Sequence, residues 1–112
     1  MISFAALLLA AAPAPAPACP LTVSFGSYAM GIDAGALAKV DALLKRDRMV
    51  RGVERSRWGR EGEVTLCVQT RSESHARRLA RRVRALIPAR PRGPVTIETR
   101  GGWRYQTAAL TR

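Results

Sequence analysis

The chain contains no asparagine, a single histidine, His75, and two cysteines, Cys19 and Cys67. So sparse a set offers no Cys/His pairs at the spacing of a structural zinc site. Acids are scarce as well: 8 Asp and Glu stand against 19 Lys and Arg, for a net charge of +11. Only Glu61 and Glu63 lie close together, on either side of Gly62. Splayed across a turn they solvate it more readily than they share a proton for acid–base work. No apolar run reaches the roughly 20 residues that a bilayer core requires, so no transmembrane span is expected.

What apolar run there is lies at the start. Ile2 to Ala12 passes into Pro13 to Ala18 and stops at Cys19. Its length and the small-x-small triplet Ala16-Pro17-Ala18 read as an export signal over residues 1–18, with the terminal amine as the only positive charge ahead of it. Cys19 directly after the run opens a second reading, a lipid anchor on its thiol, although Ala16 stands where lipoprotein signals usually carry Leu. A third is an uncleaved leader. Residues 19–100 are then one small domain working in the periplasm or beyond the cell, and residues 101–112 a flexible tail.

All charged side chains fall after residue 18, so the exported part keeps the full surplus. Of the cations 17 are Arg, in an Ala-rich chain; GC-rich coding alone produces that ratio, and it carries no mechanism. The shortage of acids is not explained that way. It favours an anionic envelope component, such as lipopolysaccharide, an acidic glycan or a phosphate-rich polymer, or else an acidic protein face. Nucleic acid is the alternative partner, and it requires the leader to be misread or uncleaved.

Leu21 to Tyr28 alternates apolar and small polar residues, the period of a half-buried strand. Asp33 suits a helix N-cap. Ile32 and Leu37 are spaced as a hydrophobic staple, and Ala36, Leu37, Val40, Leu43 and Leu44 give one apolar face over residues 33–47. Met49 to Trp58 has a poor pattern, with Val50 and Val53 out of phase. Trp58-Gly59-Arg60-Glu61-Gly62-Glu63 is a turn signal leading into Val64, Leu66 and Val68, so the two stretches read as a hairpin. Thr70 and Glu73 have capping-box spacing, and Ala76, Leu79, Ala80, Val83, Leu86 and Ile87 recur at helical period over residues 71–87 until Pro88. A breaker-rich loop, residues 90–94, precedes a short alternating strand from Val95 to Thr99.

Strand, helix, hairpin, helix, strand is the ferredoxin-like βαββαβ order, an α+β fold with a four-stranded antiparallel sheet and two helices on one face. In its usual arrangement the first and third strands are antiparallel neighbours. The start of one then lies beside the end of the other, which brings Cys19 and Cys67 together. In an oxidising compartment that pair is expected to be a disulfide; the competing reading leaves Cys67 a buried thiol and Cys19 lipidated.

The functional classes common to that fold can be weighed by residue. The open face of the first and third strands would show Thr22, Ser24, Gly26, Thr65, Cys67 and Gln69, with no aromatic platform for stacking RNA bases. The loop after the first strand has no Cys-x-x-Cys for soft-metal transfer. Acylphosphatases of this size use an Arg and an Asn, and Asn is missing altogether. His75 sits beside Ser72, Glu73 and Ser74, but consecutive helical residues point apart and make no triad. No catalytic residue, cofactor or metal is expected.

Two surfaces remain. Arg77, Arg78, Arg81, Arg82 and Arg84 are spaced by three and four opposite the apolar stripe, with no acid among them. Such crowding destabilises a helix slightly, so it is more than solubility needs. At the hairpin tip, Arg55, Arg57, Trp58 and Arg60 set an aromatic between arginines, either as a contact anchor or folded back over the core edge. Trp103 and Tyr105 around Arg104 pose the same choice in the tail. The expectation is a non-enzymatic binding module using the helix arginines together with Arg57, Trp58 and Arg60; the alternatives are a nucleic-acid-binding protein and a small enzyme that uses arginines to hold a phosphate or acyl substrate.

Overall fold

The computed structural model describes residues 19–107. The leader over residues 1–18 and the end of the tail, residues 108–112, lie outside the described residues. Seven elements follow in order: β1 (Leu21–Phe25), α1 (Ala34–Arg46), β2 (Val50–Arg57), β3 (Val64–Thr70), α2 (Glu73–Leu86), β4 (Val95–Thr99) and β5 (Arg104–Gln106). They form an α+β domain with two helices and one antiparallel sheet in the order β2-β3-β1-β4-β5.

The core follows from the two periodicities. On β1, Leu21, Val23 and Phe25 are fully buried, and the intervening Thr22 and Ser24 are not. Their partners across the sheet, Val68, Leu66 and Val64 on β3 and Ile97 and Val95 on β4, are buried on the same face. Val40, Leu43 and Leu44 of α1 and Ala76, Leu79, Ala80 and Val83 of α2 join them in a single cluster. The sheet's other face stays polar, with Ser24 and Thr65 sharing a 2.8 Å hydrogen bond across β1 and β3.

Helix boundaries come from side-chain caps. Asp33 accepts from the Ala36 N–H at 3.0 Å and opens α1. The cap of α2 is Ser72, whose hydroxyl accepts from the His75 N–H at 3.2 Å. That corrects the capping-box expectation at Thr70. Thr70 is still paired to Val50 in the β2–β3 ladder, and its hydroxyl donates instead to the Ser72 carbonyl at 3.0 Å, so the helix starts two residues later.

The sheet has five strands where the sequence pattern yields four. Three residues are too few to show a period, but tertiary contacts define β5. Thr99 N–H donates to the Trp103 carbonyl at 2.9 Å, and Thr107 and Val95 exchange N–H···O bonds, one backbone at 3.0 Å and one to the Thr107 hydroxyl at 3.1 Å. Residues 104–106, read as tail, thus extend the sheet.

Cys19 and Cys67 form a disulfide with Cα atoms 5.3 Å apart, closing a separation of 48 residues. In register, Cys67 lies opposite Thr22. A straight continuation of β1 would carry Cys19 about 10 Å beyond it. The chain turns at Pro20 instead, whose carbonyl accepts from the Arg100 N–H at 3.0 Å. The bond occupies the sulfur that a lipid anchor on Cys19 would use.

One close approach holds the loops at the far end. The Gly26 N–H donates to the Pro94 carbonyl at 2.8 Å, and a Cβ on Gly93 would run into the Gly26 carbonyl oxygen. Only glycine lets the two backbones meet there.

Candidate functional site

The five arginines of α2 share one arc of the helix but meet different neighbours. Helical geometry divides them into a row of Arg77, Arg81 and Arg84 and a row of Arg78 and Arg82, and the neighbours of the helix give each row a different setting. Arg82 reaches the end of α1, where it is ion-paired with Asp47; the Asp47 side chain is only 7% exposed and that of Arg82 51%. Arg84 lies over the ring of Tyr105 on β5, 4.4 Å from its centre. The sequence reading saw neither partner, because both are brought in by tertiary structure. Arg77, Arg78 and Arg81 are exposed and make no ion pair, hydrogen bond or ring contact among the described residues.

Arg78 and Arg82 also border a cleft of about 330 Å³ between the end of α1 and the first turns of α2. Arg46, Asp47 and Arg48 line it from the α1 side and His75 from the α2 side. Arg46 arises there because a cation in the last turn complements the helix dipole. Arg48 follows Asp47, which ends the helix by accepting from the Met49 N–H at 2.8 Å. His75 Nδ1 is buried and has no hydrogen-bond partner. On the other side of α2, Arg81 and Arg84 line a broader concavity with Trp103.

The hairpin tip behaves differently. The turn closes with the Trp58 N–H on the Glu63 carbonyl at 3.1 Å. The Trp58 indole N–H donates to the Thr65 hydroxyl at 2.9 Å, so the ring returns over the polar face of the sheet while remaining 47% exposed. Arg57 and Arg60 are exposed beside it. Arg55 is drawn away to Asp41 on α1, at 2.6 Å. Glu63 is 8% exposed and accepts from the Glu61 N–H at 2.7 Å, while the Glu61 side chain is exposed. Gly59, at φ 73°, carries no side chain because a Cβ there would strike the Glu63 carboxylate.

A second acid shapes the opposite loops. Asp33 accepts through Oδ1 from Ala36 and through Oδ2 from the Arg92 N–H at 2.9 Å, tying the α1 cap to the loop before β4. The Arg92 hydrogen bond, together with that from Ala36 and the positive charge of Arg92, holds its carboxyl below the usual 3.8 against the opposing effect of burial.

Among the described residues, no three His, Cys, Asp or Glu side chains converge to hold a metal ion, and no helix is long and apolar enough to cross a membrane. Trp103 and Tyr105 are half-buried and pack against the core from outside. Compared with protein-family models, with curated proteins and with solved structures, the chain matches none.

Proposed function

We propose that this is a small exported protein whose α2 arginines dock an anionic polymer of the cell envelope, without catalysis. The observation that carries the reading is that Arg77, Arg78 and Arg81 stand exposed and unpaired on a helix with no acid from Arg77 to Arg84. Unneutralised cations spaced by three and four are a cost to the isolated helix, and an anionic ligand relieves it. The proposed core is ferredoxin-like, with β5 appended; the order β2-β3-β1-β4 supports this. Export rests on Ile2 to Ala12 and Ala16-Pro17-Ala18, and a disulfide is compatible with an oxidising compartment.

The test leaves Arg82 and Arg84 in place, because each has a partner in the fold. Arg77→Gln/Arg81→Gln should remain folded and bind polyphosphate or lipopolysaccharide at least tenfold more weakly, a loss of about 1.4 kcal/mol. Binding by the parent should fall steeply with salt, since exposed charges are screened beyond about 8 Å at physiological ionic strength. A folded variant that binds as well as the parent overturns the reading. If Trp58→Ala alone abolishes binding, the hairpin with Arg57 and Arg60 is the contact surface, and preferential retention of duplex DNA would move the protein to the nucleic-acid class.

A further inference from the structure

The row of Arg78 and Arg82 faces a concavity. Four arginines, Arg46, Arg48, Arg78 and Arg82, line one cleft of about 330 Å³ with a single acidic residue, Asp47, among them. That carboxylate is already committed to Arg82 and to the Met49 N–H. The folding of α1 against α2 therefore gathers like charges from parts of the chain about thirty residues apart and leaves most of them unneutralised. His75 lines the same cleft from the α2 side. A bound anion neutralises that surplus.

We propose that this cleft is a binding site for a phosphate monoester. The inference rests on the anionic-ligand reading above and names the group that the inner row of α2 recognises. Guanidinium groups bind phosphate through paired, nearly parallel N–H bonds. A terminal phosphate offers three free oxygens and close to two negative charges, so it can accept from Arg46, Arg48 and Arg78 at once, while Arg82 stays on Asp47. A phosphodiester has two free oxygens and one charge, and fits the surplus less well. The monoester can be a soluble phosphate or the headgroup of a lipid.

The full chain, isotopically labelled, is titrated with inorganic phosphate at constant ionic strength, with sodium chloride as the control. Saturable shifts are expected in the His75 imidazole nitrogens and in the Nε–H signals of Arg46, Arg48 and Arg78, with those of Arg77 and Arg60 unmoved. Arg46→Gln/Arg48→Gln, which leaves every arginine of α2 intact, should weaken phosphate binding at least tenfold at an unchanged melting temperature. If that variant melts early, Arg78→Gln on the parent provides the same comparison. Vesicles containing phosphatidic acid, a monoester, against phosphatidylglycerol of equal charge separate the sources: retention on phosphatidic acid alone identifies a lipid headgroup, and phosphate binding without vesicle retention identifies a soluble one. Polymer binding through Arg77 and Arg81 with no phosphate-dependent shift at His75 overturns the cleft and leaves the docking surface standing. Loss of both overturns the two together.

Discussion

Arg82, in the middle of α2, is ion-paired with Asp47, the residue that caps the C-terminus of α1. Asp47 Oδ1 is meanwhile taken by the Met49 N–H. One carboxylate thus ends a helix, starts the loop toward β2 and fixes the second helix against the first. Arg82→Gln should therefore behave unlike Arg77→Gln. The first leaves a nearly buried carboxylate without its counter-charge, and because Arg82 itself is half exposed the cost should be about 1–2 kcal/mol. The second should lie within about 0.5 kcal/mol of the parent. Urea denaturation of the two variants measures the difference. Equal stabilities would mean that the pair is a surface contact of no consequence.

The Cys19–Cys67 bond closes 48 residues, for which the loop-entropy argument gives about 4 kcal/mol as an upper estimate. A domain this small has little core to spare. Cys67→Ala should lower the melting temperature markedly, and reducing agent should lower that of the parent by a similar amount and leave the variant unaffected. Non-reducing peptide mapping should recover the cross-linked pair. Free thiols at both positions in protein isolated from an oxidising compartment would contradict the pairing.

Asp33 ties the start of α1 to Arg92. Its carboxyl is held below 3.8, chiefly by the Arg92 N–H. A folded-state value below the unfolded one means that the group contributes stability above pH 4 or so, and that this is lost as pH falls through the folded value. Asp33→Asn keeps a cap but removes the acceptor for Arg92, and should cost about 1 kcal/mol at neutral pH. The gap between parent and variant should close as the solution is taken below about pH 4. A gap that persists unchanged in acid would show that the Asp33 charge is not what stabilises the loop.

Much of this architecture was legible in the residues. Val95 to Thr99 alternates cleanly and is β4 to the residue, because Pro94 precedes it, Gly101 follows soon after and its inward Val95 and Ile97 are fully buried. Asp33 with Val40, Leu43 and Leu44 marked α1, and Trp58 to Glu63 marked the hairpin turn. The disulfide followed from strand order, since local periodicity was enough to suggest which strands are neighbours. β2 showed poorly because it is an edge strand: only one side pairs, Val53 is left 42% exposed, and a register shift between Val50 and Gly52 breaks the alternation. Backbone hydrogen bonding to β3 holds it, and that leaves no mark in side-chain pattern.

What the sequence by itself determined is therefore the set of elements with strong period and clear caps and the size of the cationic surplus, which depend on residues near one another or on totals, and the pairing of the cysteines, which follows from the strand order those elements imply. Tertiary structure alone decided the rest. It made Arg104–Gln106 a strand by giving its three residues β4 to bond with, and moved the α2 cap from Thr70 to Ser72 by keeping Thr70 in the sheet. It also gave the arginines of one run different neighbours: Arg82 meets Asp47, Arg84 meets Tyr105, and Arg78 borders a cleft. Helical spacing places those arginines on a common arc, but Asp47, Tyr105 and the Arg46–Arg48 wall reach them only through packing between elements distant in the chain, and no local pattern encodes that.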